Sequence, residues 1–216
     1  MNRREMLKLG SAGSLAALAS AVPGAAQASH SDAAHAPVPQ WEVLELALSG
    51  PSSGNPFTDV QLTATFSLGH RSVAVEGFYD GEGKYKVRFM PDAVGEWAYT
   101  TNSNVADLSG KTGRFNCTAA LGGAHGPVRV SNTHHFAYAD GTPFFPFGTT
   151  CYAWVHQSQE LQQQTLESLR SAPFNKIRMC VFPKSYQYNH NEPPFYPFER
   201  NAAGENDFTR PRTCIG

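Results

Sequence analysis

Lys84-Tyr85-Lys86-Val87-Arg88-Phe89-Met90-Pro91-Asp92-Ala93-Val94-Gly95-Glu96-Trp97-Ala98-Tyr99-Thr100-Thr101 is the stretch on which the fold turns. Two short runs, Lys84 to Phe89 and Glu96 to Thr101, flank Met90-Pro91-Asp92-Ala93-Val94-Gly95, whose Pro, Asp and Gly are turn formers. Alternation over so few residues, bounded by breakers, predicts β-strands with one buried face. Trp97 and Tyr99 share a face of the second strand and are read as core aromatics. Exposed on a sheet, the same pair would form a platform for a sugar ring.

Working outward, similar runs occur at Trp41 to Leu48, Val60 to Leu68, Ser72 to Tyr79 and Gly113 to Thr118. The breakers between them include Gly50-Pro51-Ser52-Ser53-Gly54-Asn55-Pro56, Leu68-Gly69-His70 and Asp80-Gly81-Glu82-Gly83. This spacing predicts an all-β immunoglobulin-like sandwich over residues 40–120, small for its class. No His, Cys or carboxylate cluster in it has ligand spacing.

Upstream, Arg3-Arg4 precede a weakly apolar run from Leu9 to Val22, and Ala26-Gln27-Ala28 offers a small-residue cleavage pattern. Residues 1–28 therefore read as a twin-arginine signal peptide, since export receptors read the arginine pair as an address. The run is too short and too glycine-rich to span a bilayer, so no membrane association is expected once the signal is removed. Its removal takes away Arg3, Arg4 and Lys8 against Glu5 and moves the formal charge from −1 to −3. No basic field remains to favour nucleic acid. Residues 29–39, SHSDAAHAPVP, read as a linker.

The four cysteines, Cys117, Cys151, Cys180 and Cys214, have no CxxC spacing, which excludes metal-ribbon and thioredoxin-like readings. Cys151 and Cys180 either pair in an oxidising compartment or stay as isolated thiols. His134-His135 reads as part of a turn, and neither a metal site nor a cofactor motif emerges.

Residues 121–143 read as a connecting segment with a hairpin, Val128 to Val130 and Phe136 to Tyr138, followed by an Asp140-Gly141 turn. From Phe144 the pattern changes to a short buried strand at Phe144 to Gly148, a helix at Gln159 to Ser171 with Leu161, Leu166 and Leu169 on one stripe, and a strand at Phe174 to Phe182. Strand, helix, strand predicts a parallel pair. Tyr152, Trp154 and His156 follow the first strand, and Lys184, Tyr186, Tyr188, Asn189 and His190 follow the second, which in a (β/α)8 barrel is the active face.

FFPFGTTCYAWVHQ and NKIRMCVFPKSYQYNHNEPPFYPFE resemble the opening of the apiosidase-like glycoside hydrolase barrels. The preceding NPFTDVQLTATF and VRFMPDAVGEWAYTT resemble the immunoglobulin-like domain of unknown function that usually precedes them. The resemblance implies a partial (β/α)8 barrel over residues 144–216, ending before the strands that carry the two catalytic carboxyl groups, as in a truncated or frameshifted product. It implies saccharide as the partner, the twin-arginine machinery for export, and a periplasmic or extracellular location for a chain that folds.

No catalytic acid or base is assigned, because Glu192, Glu199, Glu205 and Asp207 lie in an irregular loop. Arg178 matches the arginine such barrels place at the end of the second strand, where it holds a carboxylate; a structural ion pair is the alternative. Trp154 and Tyr152, with Phe182 and Tyr188, are candidates for stacking on sugars, and His156 and Asn189 for binding hydroxyls. Three functions follow: a carbohydrate-active protein without its catalytic carboxylates, a non-catalytic binding or supporting module, and an inert fragment.

Overall fold

The structure, a computed structural model, describes residues 33–181, 190–192 and 195–212. The expected signal peptide, Phe182, Lys184, Tyr186, Tyr188, Asn189 and Cys214 lie outside the described residues.

Two strands, β1 (Ala33–Ala34) and β2 (Val38–Pro39), arise within the expected linker. The sandwich proper follows with β3 (Leu44–Ser49), the short helix α1 (Pro56–Asp59), β4 (Leu62–Leu68), β5 (Arg71–Glu76), β6 (Phe78–Gly81), β7 (Lys84–Phe89), β8 (Gly95–Ser103) and β9 (Thr112–Thr118). One sheet runs β1-β9-β8-β4-β5 with β2 also on β9, and the other runs β3-β7-β6. Both N-terminal strands pair parallel to β9, and Val38 joins the core.

Period-two alternation aims one face of each sheet at the other. Leu44 and Leu46 of β3 and Tyr85, Val87 and Phe89 of β7 meet Leu62, Ala64 and Phe66 of β4, Trp97 and Tyr99 of β8, and Phe115 and Cys117 of β9. Phe66 stacks on Phe89 across the two sheets at 4.0 Å between centroids. Trp97 is fully buried, edge-on to Phe89 at 5.0 Å, and its indole N–H donates to the Ala93 carbonyl at 2.9 Å. Its core reading holds, and the sugar-platform alternative falls, because neither Trp97 nor Tyr99 reaches the surface.

β4 lies between β8 and β5, in the opposite sheet from β3 and β7. The expected single strand Ser72 to Tyr79 is two strands in different sheets, and the chain crosses at Gly77. A Cβ there would stand 2.5 Å from Leu62 Cδ2 and 3.0 Å from the Lys86 carbonyl oxygen, so only glycine passes without displacing its neighbours.

Beyond the sandwich, β10 (Val128–Ser131), β11 (His135–Tyr138) and β12 (Pro143–Phe144) form an antiparallel sheet. Asn132 and Thr133 turn at positive φ between the first two strands, and Gly141, at φ 89°, turns before β12. Next come β13 (Gly148–Thr150), α2 (Gln159–Arg170) and β14 (Lys176–Arg178), with β13 and β14 parallel.

The (β/α)8 barrel expectation is overturned. The next strands, β15 (Phe198–Arg200) and β16 (Asn206–Pro211), fold back on each other antiparallel through a turn at Gly204 instead of crossing over a helix. β13 and β14 remain a two-stranded sheet, and no closed barrel exists among the described residues. The side chains a barrel would bury face solvent: Ile177 is 40% exposed, Val181 63% and Phe145 75%, and Leu161 and Leu166 of α2 are also exposed. The run from Phe144, expected as a buried strand, is thus neither buried nor one strand.

Candidate functional site

Close backbone approach sets the geometry where β13 meets β14. A Cβ on Gly148 would come within 2.6 Å of the Lys176 carbonyl oxygen. Gly148 pairs with Lys176, Thr149 with Ile177 and Thr150 with Arg178. Two further backbone bonds continue the ladder: Cys151 N donates to the Arg178 carbonyl at 2.8 Å and Cys180 N to the Tyr152 carbonyl at 3.2 Å. At the other end, the Asn175 side chain accepts from Phe147 N at 2.9 Å and donates to the Phe145 carbonyl at 2.8 Å.

Tyr152 and Arg178 consequently leave the carboxyl ends of neighbouring strands together. The Arg178 guanidinium carbon lies 5.2 Å from the centroid of the Tyr152 ring, within cation–π range. Arg178 is exposed, and strand β14 has no buried residue.

The chain then makes a single 3-10 turn, Trp154–His156. Trp154 is half-buried and donates its indole N–H to the Gln162 carbonyl at 3.1 Å, tying the turn to α2. Ser158 caps α2 by accepting from Leu161 N at 3.3 Å, leaving Gln162 at the second turn where it also bonds the Gln157 carbonyl. His156 is 3% exposed and sits beneath this turn, at the wall of a shallow cavity of about 800 Å³ shared with Gln159, Asn191 and Glu192. Of the expected ligand-binding residues, the structure brings Arg178 beside Tyr152 and sets Trp154 and His156 in one 3-10 turn; Tyr188 and Asn189 lie outside the described residues.

A larger cleft of about 1110 Å³ opens between the sandwich and the C-terminal hairpin. Phe57 and Tyr79 line it from the sandwich, Val155 and Gln162 from the 3-10 turn and α2, and Tyr196, Arg200, Arg210 and Arg212 from the hairpin region. The hairpin is fastened to the sandwich by Asn55, whose amide donates to the Thr209 carbonyl at 3.1 Å and hydroxyl at 3.3 Å. The sequence reading passed over this cleft, although FYPFER and TRPR concentrate aromatics and arginines.

Carboxylates of the same region are held locally. Glu192 accepts a short hydrogen bond from the Tyr196 hydroxyl, which pushes that phenol above its ordinary range. Glu205 accepts from Asn201 at 2.8 Å. Asp207 accepts from the Thr209 hydroxyl at 2.7 Å and backbone N at 3.0 Å, bonds that hold its carboxyl below the usual range. Cys117, Cys151 and Cys180 are free thiols. Among the described residues no group of three or more His, Cys, Asp or Glu is placed to hold a metal ion, and no helix is long and apolar enough to cross a membrane.

Residues 37–104 match the family model DUF5060, a domain of unknown function. No curated protein matches the chain. Among solved structures, the chain is similar to the crystal structure of a "putative glycoside hydrolase" from Bacteroides vulgatus ATCC 8482, with a TM-score of 0.76 and 45% sequence identity. The match covers 82% of this chain and 36% of that one, so the chain spans about a third of the length of its relative. The chain thus carries a DUF5060 domain at residues 37–104 and is similar over 82% of its length to a putative glycoside hydrolase.

Proposed function

We propose that this is an exported carbohydrate-binding protein, in which the DUF5060 sandwich supports a saccharide-binding face made by Tyr152, Trp154 and Arg178. The observation that carries the reading is the Arg178–Tyr152 pair at the carboxyl ends of adjacent parallel strands, in a chain 45% identical to a glycoside-hydrolase relative. An aromatic face packs against the C–H surface of a sugar while a guanidinium donates to its oxygens. His156 positions the turn rather than touching ligand, since it is buried. The apiosidase-like resemblance of residues 144–157 and 175–199 is the narrower form of this reading.

Binding without hydrolysis fits the local engagement of Glu192, Glu205 and Asp207, because a general acid or base must have its carboxyl available to substrate. Affinity electrophoresis against plant and bacterial polysaccharides tests it. Retardation on at least one polysaccharide, lost in Tyr152→Ala and Arg178→Ala, is expected together with no release of reducing ends. Unaltered mobility on every polysaccharide would refute saccharide binding, and turnover abolished by Arg178→Ala would refute the non-catalytic assignment.

Export belongs to the same reading through Arg3-Arg4 and Ala26-Gln27-Ala28. Fractionation of producing cells should place a shortened chain outside the cytoplasm, and Arg3→Lys/Arg4→Lys should retain the full-length precursor inside. Equal export of both chains would sink the twin-arginine assignment.

A further inference from the structure

The cleft between sandwich and hairpin has a composition the Arg178–Tyr152 face lacks, and neither of those two residues lines it. Three arginines, Arg200, Arg210 and Arg212, open onto it against one lining carboxylate, Glu199. The Arg200 guanidinium carbon lies 4.1 Å from the centroid of the Tyr196 ring, and its Nε–H donates to the Gly204 carbonyl at 2.7 Å, so the guanidinium is held in place before any ligand arrives. Arg210 has Asp207 Oδ2 at 3.8 Å, beyond hydrogen-bond length, while the other oxygen of that carboxylate accepts from Thr209. Arg212 has no ion pair among the described residues. The whole chain carries a net charge of −1, so this concentration of arginine is local and does not reflect a basic protein.

A guanidinium fork matches a carboxylate in shape and donates two parallel hydrogen bonds to it. Tyr79 and Phe57 stand on the facing wall, edge to face at 5.0 Å, and supply an apolar surface for a ring. Cation on one wall and aromatic surface on the other suit a ligand with a pyranose body and a carboxylate. We infer that this cleft binds acidic saccharides, the carboxylate of a uronic acid residue meeting Arg210 and Arg212 while the sugar ring packs towards Tyr79. The inference rests on the carbohydrate reading above and names the ligand class for a second site.

Calorimetric titration of the whole chain with a uronic acid trisaccharide, its carboxyl-reduced neutral counterpart and inorganic phosphate tests it. The uronate is expected to bind at least about tenfold more tightly than the neutral sugar, and the preference should shrink as salt rises. Arg212→Glu should abolish the preference and Arg212→Lys keep part of it, both with the melting temperature of the parent. Equal affinity for the uronate and the neutral sugar would overturn the acidic cleft and leave the carbohydrate reading standing. Binding of neither sugar would overturn both. Phosphate binding as tight as the uronate would reduce the cleft to an unspecific anion site, and a preference that survives Arg212→Glu would place recognition elsewhere.

Discussion

At the scale of single residues, the sandwich is held by side chains that satisfy both packing and polarity. Thr101 is buried, yet its hydroxyl donates to the Leu108 carbonyl at 2.6 Å and accepts from Lys111 N at 2.9 Å, which closes the loop after β8 without an orphaned polar group. Near the start of the same strand, Arg71 reaches Asp92 with two hydrogen bonds, at 2.7 and 2.6 Å, and passes within 5.8 Å of the Trp97 ring centroid. The Arg71 guanidinium holds the Asp92 carboxyl below its usual range, against a smaller opposing effect of burial. A carboxyl lowered on folding contributes stability above its unfolded value, near pH 3.9, and loses it as pH falls through the folded value. Asp92→Asn should therefore lower the melting temperature modestly at about pH 7, and the two curves should converge as the pH drops below about 4. Calorimetric melting of both proteins across that range checks it, and a gap that persists in acid would show that Asp92 acts through something other than its charge.

At the scale of elements, the crossing at Gly77 decides which sheet receives the chain. The Gly77 N–H donates to the Leu62 carbonyl at 2.8 Å, and a methyl group there would push on a core leucine and on the β7 backbone. Gly77→Ala is expected to cost about 1–3 kcal/mol in urea unfolding, by overpacking. Gly122→Ala, where nothing lies within 4 Å, serves as the neutral control. Loss of the same size at both positions would mean that crowding at the crossing does not set the cost. Strands β7 and β8 could be read from their alternation because each has one face in a core, which is what period two records. The split at Gly77 could not, since Ser72 to Tyr79 keeps its alternation while changing partner sheets and only the three-dimensional neighbours of the glycine reveal the break. Tyr152 could be singled out in the sequence because it follows a short apolar run, and Arg178 through the resemblance of its strand to a glycoside hydrolase barrel. The arginine cleft could not be, because Tyr79 and Arg212 meet only through the docking of a hairpin on a distant sandwich edge. The barrel reading failed for a related reason: an apolar run such as Phe144 to Gly148 has the same sequence signature whether its partner strands are present or its side chains face solvent.

At the scale of the whole molecule, burial is divided unevenly along the chain. Among the described residues, every buried hydrophobic residue of the core lies between Val38 and Cys117, whereas Val128, Val130, Phe145, Phe147, Ile177, Met179 and Val181 are exposed and α2 has no buried residue. Apolar burial is the dominant favourable contribution to folding, so the sandwich holds most of the stability and the segments after it open at lower cost. The Asn55–Thr209 clasp fastens the hairpin by hydrogen bonds at the exposed edge of the sandwich, too few to offset the difference. Proteases cut where the backbone opens locally, and β13 and β14, as a two-stranded parallel sheet, expose their outer edges to such opening. Limited digestion of the purified chain, followed by mass spectrometry, should therefore give an early cut within residues 121–181 and a long-lived product that retains β3 to β9 and ends near Leu121. Adding a saccharide that occupies the Tyr152–Arg178 face should slow that first cut without changing the product, because a ligand stabilises the state it binds. A resistant product that keeps α2 and β14 in the absence of ligand would show that the second half has stability of its own, and would sink the division of the molecule drawn from its burial.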